Sequence, residues 1–165
     1  MAVTDIEKLI AIEEIKRLKG RYFRAMDTKN WDLFRTIFTE DLDLDTSYAF
    51  TPADHKGDPI EPGLKSRAPD ASFRIRGVDA FIEMQHQYLD NMSTVHHGHT
   101  PEIEILDAEN ATGIWAMEDK LRWPEGSPMR TMHGYGHYTE RYRKVDGAWK
   151  IAALKLTRIR IDVES

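Results

Sequence analysis

Residues 93–123, STVHHGHTPEIEILDAENATGIWAMEDKLRW, read as two antiparallel strands joined by a short turn, and they hold a dense set of titratable groups within a largely apolar hairpin. Ile103, Ile105, Ala111, Ile114, Ala116, Leu121 and Trp123 supply apolar and β-branched positions at short intervals, and Asp107-Ala108-Glu109-Asn110 supplies the polar break a turn needs. With Ala108 and Glu109 at the turn centre, His96 faces Leu121 and Gly98 faces Asp119, so His96 and Asp119 share a face. A slip of one residue would separate them. An imidazole beside a carboxylate is an acid–base unit, the carboxylate fixing the ring's tautomer while the free nitrogen takes or gives a proton. For the hairpin taken alone, a solvent-facing polar pair is the competing reading.

Upstream, Thr4-Asp5-Ile6-Glu7 has the pattern of a capping box, and Ile6, Leu9, Ile10, Ile15, Leu18, Tyr22 and Met26 recur at three- and four-residue steps. This predicts a long amphipathic helix ending near Asp27, with Gly20 inside it at a cost of about 1 kcal/mol relative to alanine. Trp31, Phe34, Ile37 and Phe38 predict a second, short helix after the Thr28-Lys29-Asn30 break. Asp41 to Phe50 alternates and predicts a strand. Residues 51–72, TPADHKGDPIEPGLKSRAPDAS, hold four prolines and two glycines and read as a long mobile loop, either a lid over a pocket or a disordered insertion.

Val78, Phe81, Ile82, Met84, Tyr88 and Leu89 predict a third helix. After the hairpin, Arg130 to Lys144 reads as a long strand carrying HGYGHYTERYR, Val145-Asp146-Gly147-Ala148 as a two-residue hairpin turn, and Trp149 to Ile161 as a closing strand. The order predicts an α+β domain with helices gathered on one face of an antiparallel sheet.

At 165 residues the chain suits one domain, spanning residues 1–165. Its net charge of −5 comes from 23 basic and 28 acidic residues with no long run of either sign, which argues against a nucleic-acid partner. The absence of cysteine excludes disulfides, thiolate chemistry and thiolate metal sites. No segment approaches the roughly 18 apolar residues of a membrane span, and MAVTDIEKLI lacks a basic start with an apolar stretch behind it, so a cytoplasmic location away from membranes is expected.

Several stretches together carry a family resemblance. IEEIKRLKGRYFRAMDTKNWD (12–32), HHGHTPEIEI (96–105), ATGIWAMEDKL (111–121) and HYTERYRKVDGAWKI (137–151) resemble the bile acid 7α-dehydratases and, more distantly, the scytalone dehydratases of the SnoaL-like, nuclear transport factor 2-like superfamily. The resemblance implies a cystatin-like cone, a curved, mainly antiparallel (mixed) sheet with three N-terminal helices on its concave face. It places a catalytic tyrosine at Tyr22, aspartates at Asp27 and Asp119, a histidine at His96 and an arginine at Arg158 in LTRIRID; strand parity leaves open which of Lys155, Arg158 and Arg160 faces inward. Tyr48, in DTSY, takes the place of a substrate-orienting tyrosine of the scytalone dehydratases. The second catalytic histidine of those enzymes falls on Leu121, so their water-mediated arrangement is not available here. Tyr22 and Asp27 lie about 140° apart around a helix and converge only if the chain turns inward at Asp27.

These positions imply a cofactor-independent lyase or isomerase, foremost a dehydratase, acting on a hydroxylated polycyclic or aromatic carbonyl compound. His96 would take the proton, oriented by Asp27 or Asp119. Tyr22 would hold the developing enolate, and Arg158 would balance the carboxylates or bind an acidic tail. Trp115, Met117, Tyr138 and Phe23 would line an apolar cone for the hydrophobic substrate. Isomerase, polyketide-cyclase and dehydrochlorinase activities use much the same residues, and the scaffold also serves as a non-catalytic binding or subunit module. A metal site is a separate reading, from the HxH-x4-E spacing of His97, His99 and Glu104 with His133 or His137 to complete it; we expect no metal and no organic cofactor. The resemblance also implies a homodimer or homotrimer, with His133, Tyr135 and His137 on the outer sheet face.

Overall fold

The computed structural model describes residues 3–54, 56 and 70–164. Most of the 51–72 stretch, and with it the lid reading, lies outside the described residues. Helix α1 (Asp5–Asp27) opens on the expected capping box, Glu7 N–H donating to Thr4 Oγ1 at 3.3 Å and Thr4 N–H to Glu7 Oε2 at 2.8 Å. Its buried stripe is Ala11, Ile15, Leu18, Lys19, Tyr22, Ala25 and Met26. Ile6, Leu9 and Ile10 continue the periodicity but stay exposed, because the first turns lie outside the packed core.

Helix α2 (Trp31–Arg35) is capped by Asn30, whose Oδ1 accepts from Leu33 N–H at 3.1 Å. It is shorter than expected: Phe38 already opens strand β1 (Phe38–Asp45), its ring buried among those of Phe34 and Phe81. That strand also ends before the predicted Phe50. After a 3₁₀ turn at Ala71–Phe73 comes a short strand that the periodicity did not predict, β2 (Arg74–Arg76), then α3 (Val78–Leu89). Strands β3 (Ser93–Ile105), β4 (Asn110–Arg122), β5 (Thr131–Val145) and β6 (Ala148–Glu164) follow. Asp146 and Gly147, both at positive φ, make the tight β5–β6 turn.

The sheet is open, curved and ordered β2-β1-β6-β5-β4-β3. It is mixed, since β1 runs parallel to β6 while all other pairs are antiparallel. The helices cover one face, α1 against β3 and β6, and α3 against β1 and β2. Positions 132, 134, 136, 138, 140 and 142 of β5 turn toward them; His133, Tyr135 and His137 lie on the outer face, as expected. Among the described residues no helix is long and apolar enough to cross a membrane.

The β3–β4 register differs from the expected one. Asp107 Oδ1 accepts from the N–H groups of Glu109 and Asn110, each at 2.8 Å, which pins the turn so that Ile105 pairs with Ala111. A β-bulge between Gly98 and Pro101 then shifts the pairing by one more residue, and His96 comes directly opposite Asp119 rather than Leu121. Two one-residue displacements cancel in parity, so the shared face survives although each partner was misplaced.

Candidate active site

Asp27 is the last residue of α1, and Lys29, at φ 56°, turns the chain inward just beyond it. Its carboxylate thereby reaches β3. It accepts from the His96 ring at Nδ1 (2.6 Å), from the His96 backbone N–H (2.8 Å) and from the Thr94 hydroxyl (2.9 Å). Lys29 Nζ in turn donates to Thr94 Oγ1 at 2.7 Å. Burial pushes the Asp27 carboxyl up, but the hydrogen bonds and charge of His96 with the Thr94 hydroxyl outweigh it and hold the group below the usual carboxylate range. An ionised Asp27 accepts only, which places the proton of neutral His96 on Nδ1 and leaves Nε2 with its lone pair.

Nε2 lies 3.8 Å from Asp119 Oδ2. Asp119 is itself engaged by Arg158 in a two-pronged ion pair, at 3.0 Å to Nη1 and 2.6 Å to Nη2, with both residues at most 3% exposed. Arg158 Nε donates to the Ala49 carbonyl at 3.1 Å. Of Lys155, Arg158 and Arg160, then, the structure turns Arg158 inward. Its guanidinium is committed to Asp119, which supports charge balance rather than capture of an acidic tail. Gly134 stands opposite Asp119 and Gly136 opposite Arg158. A Cβ at Gly134 would sit 2.5 Å from both Arg158 Nη1 and Asp119 Oδ1, so the missing side chain is the space the ion pair fills.

Tyr22, His96, Asp119, Tyr138 and Arg158 line one cavity of about 420 Å³. Desolvation first, then the neighbouring Tyr138, Glu140 and Asp119, push the Tyr22 phenol well above its ordinary value, so it is a protonated donor at neutral pH. Under the two tyrosines lies a feature the sequence reading missed: Lys19 Nζ sits 3.9 Å from each ring centroid, ion-paired with Glu140, both fully buried. Glu140 also accepts from the Tyr142 hydroxyl at 2.5 Å, and that hydroxyl accepts from Trp115 Nε1 at 2.8 Å. The signals were present, a lysine inside the α1 stripe and a glutamate at an inward position of β5.

The rest of the wall differs from the expected set. Tyr138 belongs to it, but Tyr48, Trp115 and Met117 do not. Trp115 packs into the core and bonds Tyr142, Met117 Sδ lies 3.5 Å from Arg158 Nη1, and the Tyr48 ring lies under Lys155. Instead Phe81, Met84, Gln85, Tyr88 and Leu89 of α3 form one wall, and Phe50, Met92, Trp123 and Met129 stand toward the strand ends. Five of the chain's seven methionines, residues 26, 84, 92, 129 and 132, line the cavity, which suits a surface that adapts to bulky apolar shapes.

His97 faces Glu118 on the outer surface at 3.3 Å, and His133 Nε2 reaches the same carboxylate at 2.7 Å. Among the described residues no three histidine or carboxylate side chains converge as metal ligands, so the HxH-x4-E set is not assembled.

A SnoaL-like domain family model matches residues 7–155. The chain belongs to the SnoaL-like family. Solved structures of similar fold include a scytalone dehydratase-like protein from Novosphingobium aromaticivorans, with TM-score 0.76 and 18% identity over 98% of this chain and 93% of that one. A hexachlorocyclohexane dehydrochlorinase, type 2, superposes with TM-score 0.72 and 17% identity over 98% and 94%. A cystatin-like protein of unknown function from Nostoc punctiforme has TM-score 0.63 and 16% identity over 96% and 95%. At these identities the likeness concerns the fold, and in this SnoaL-like domain the cavity's chemistry is argued from its own residues.

Proposed function

We propose that this SnoaL-like protein is a lyase of the dehydratase type, acting by general acid–base chemistry on a hydroxylated, carbonyl-activated apolar ring compound. The observation that carries the reading is the Asp27–His96 dyad, whose bound Nδ1 leaves Nε2 directed at a cavity that also holds a protonated phenol. His96 Nε2 takes the proton next to the substrate carbonyl, and the C–H electron pair moves toward the carbonyl oxygen, where Tyr22 donates to the enolate. The enolate then collapses, the C–O bond of the β-hydroxyl breaks, and the imidazolium returns its proton to the departing hydroxide. Water leaves and the side chains are reset. The step is redox-neutral and balances without a co-reactant. Asp119, 3.8 Å from Nε2 and paired with Arg158, lies where it can stabilise the transient imidazolium. That two fold neighbours are a dehydratase-like protein and a dehydrochlorinase accords with an elimination; isomerisation on the same residues differs in lacking a leaving group.

The test is turnover of a panel of hydroxylated 3-keto steroids and β-hydroxy ketones, followed by conjugated-enone absorbance. His96→Ala and Asp27→Asn are expected to lower kcat about 10²- to 10⁴-fold with the fold retained by circular dichroism. No turnover by wild type, with ligands raising Tm equally in all three proteins, would establish a binding module instead. We also infer a homodimer or homotrimer formed through the outer sheet face, where Val95 and Ile114 are exposed; a sedimentation mass of 19.1 kDa would refute it.

A further inference from the structure

Helix α3 turns an apolar face to the cavity, through Phe81, Met84, Tyr88 and Leu89, and interrupts it once with Gln85. Gln85 is 7% exposed. Among the described residues its carboxamide makes no hydrogen bond, although it lines the cavity. Its amide atoms are not sealed in the core, since the unpartnered buried side-chain atoms among the described residues are Thr39 Oγ1 and Trp149 Nε1, so the carboxamide stays open to a partner that leucine or methionine in this wall would not engage. Thr94, Asp119, Glu140 and Arg158, the buried polar residues around the dyad and beneath the floor, are all engaged. Gln85 differs from them in lining the cavity with a donor and an acceptor that no protein group among the described residues engages.

We infer that Gln85 is a specificity-determining residue that hydrogen-bonds a neutral oxygen of the ligand, a carbonyl or hydroxyl carried on an apolar ring skeleton. The inference rests on the cavity being the substrate site. A carboxamide can serve either oxygen, donating to a carbonyl or accepting from a hydroxyl. An anionic group is disfavoured at this wall, because among the described lining residues the permanently charged cation is Arg158, which is committed to Asp119. Gln85 comes from α3, whereas His96, Asp119 and Arg158 come from the sheet. Tyr22 and His96 already serve the reacting carbonyl in the proposed elimination, so the oxygen assigned to Gln85 is a second one, and the ligand class is a ring compound bearing oxygen at two positions.

Androst-4-ene-3,17-dione and the two steroids lacking one or the other of its oxygens serve as probes, with binding read from the fluorescence of Trp123, the tryptophan in the cavity wall. Wild type is expected to bind the dione about tenfold or more tighter than at least one mono-ketone. In Gln85→Met that ratio should collapse toward unity, the dione binding more weakly while binding of the mono-ketone is retained or improved. An unchanged ratio overturns the inference, as does failure of wild type to bind any of the three. Without ligand, Gln85→Met should melt at or above the wild-type temperature, since no native hydrogen bond is removed; a fall of more than about 5 °C would show a structural role and also overturn it. A collapsed ratio without enone formation by wild type would retire the elimination and leave this assignment standing. Turnover with an unchanged ratio would do the reverse.

Discussion

Each ring nitrogen of His96 has a different neighbour, and that asymmetry decides the chemistry. Nδ1 is held 2.6 Å from Asp27 Oδ1, so Asp27→Asn removes both the tautomer control and the charge that stabilises an imidazolium. The same carboxylate has a stability signature. Its folded pKa lies below the ordinary value of 3.8, so the stabilisation is present in full above about pH 4 and is lost as pH falls through the folded value. Urea titrations of wild type and Asp27→Asn should differ at pH 7 and converge as the pH falls through the folded value. A gap that is independent of pH would show that the carboxylate's charge contributes nothing to the fold. Asp27 was readable from the sequence by resemblance, but its convergence on β3 depends on the left-handed Lys29, a residue type that gives no such signal.

At the level of elements, β5 does two jobs with alternate residues. Gly134 clears space for the Asp119–Arg158 pair, and Gly136 lets the β6 backbone at Thr157 and Arg158 approach closely. Gly134→Ala is expected to displace the ion pair and abolish turnover while leaving a folded protein. Gly136→Ala should instead destabilise by about 3 kcal/mol or more, because its Cβ would lie 1.9 Å from the Thr157 carbonyl oxygen, which is backbone and cannot step aside. Denaturant midpoints with the enone assay separate the two effects. Glu140, two positions beyond Tyr138 on the same face, joins β5 to α1 through Lys19. Lys19→Met strands a buried carboxylate and should cost about 3–5 kcal/mol in urea unfolding, whereas Lys19→Met combined with Glu140→Gln, which still accepts from Tyr142, should cost less. If the double variant is as unstable as the single, the ion pair is a net stabiliser in its own right.

Over the whole molecule, helices and sheet pack so closely that Tyr22, Tyr138 and Tyr142 are all buried, and desolvation raises each phenol above its ordinary value of 10. Below pH 10 this has no effect on stability. Above it the unfolded chain releases protons that the folded one retains, so stability falls as pH climbs. A spectrophotometric titration at 295 nm should show these three of the six tyrosines ionising together with loss of the circular dichroism signal, and their ionisation in an intact fold would contradict the burial. The sequence by itself determined the kinds and order of the long elements, the capping box, the tight β5–β6 turn and the shared face of His96 and Asp119, because these follow from local periodicity and turn chemistry. Only the tertiary structure decided that Arg158 rather than Lys155 or Arg160 turns inward, that a bulge at Gly98–Pro101 sets His96 opposite Asp119, that Trp115 and Met117 stay behind the cavity wall, and that Gln85 faces the cavity. Those outcomes depend on bulges and on packing between residues far apart in the chain, for which two- and 3.6-residue periodicities carry no information.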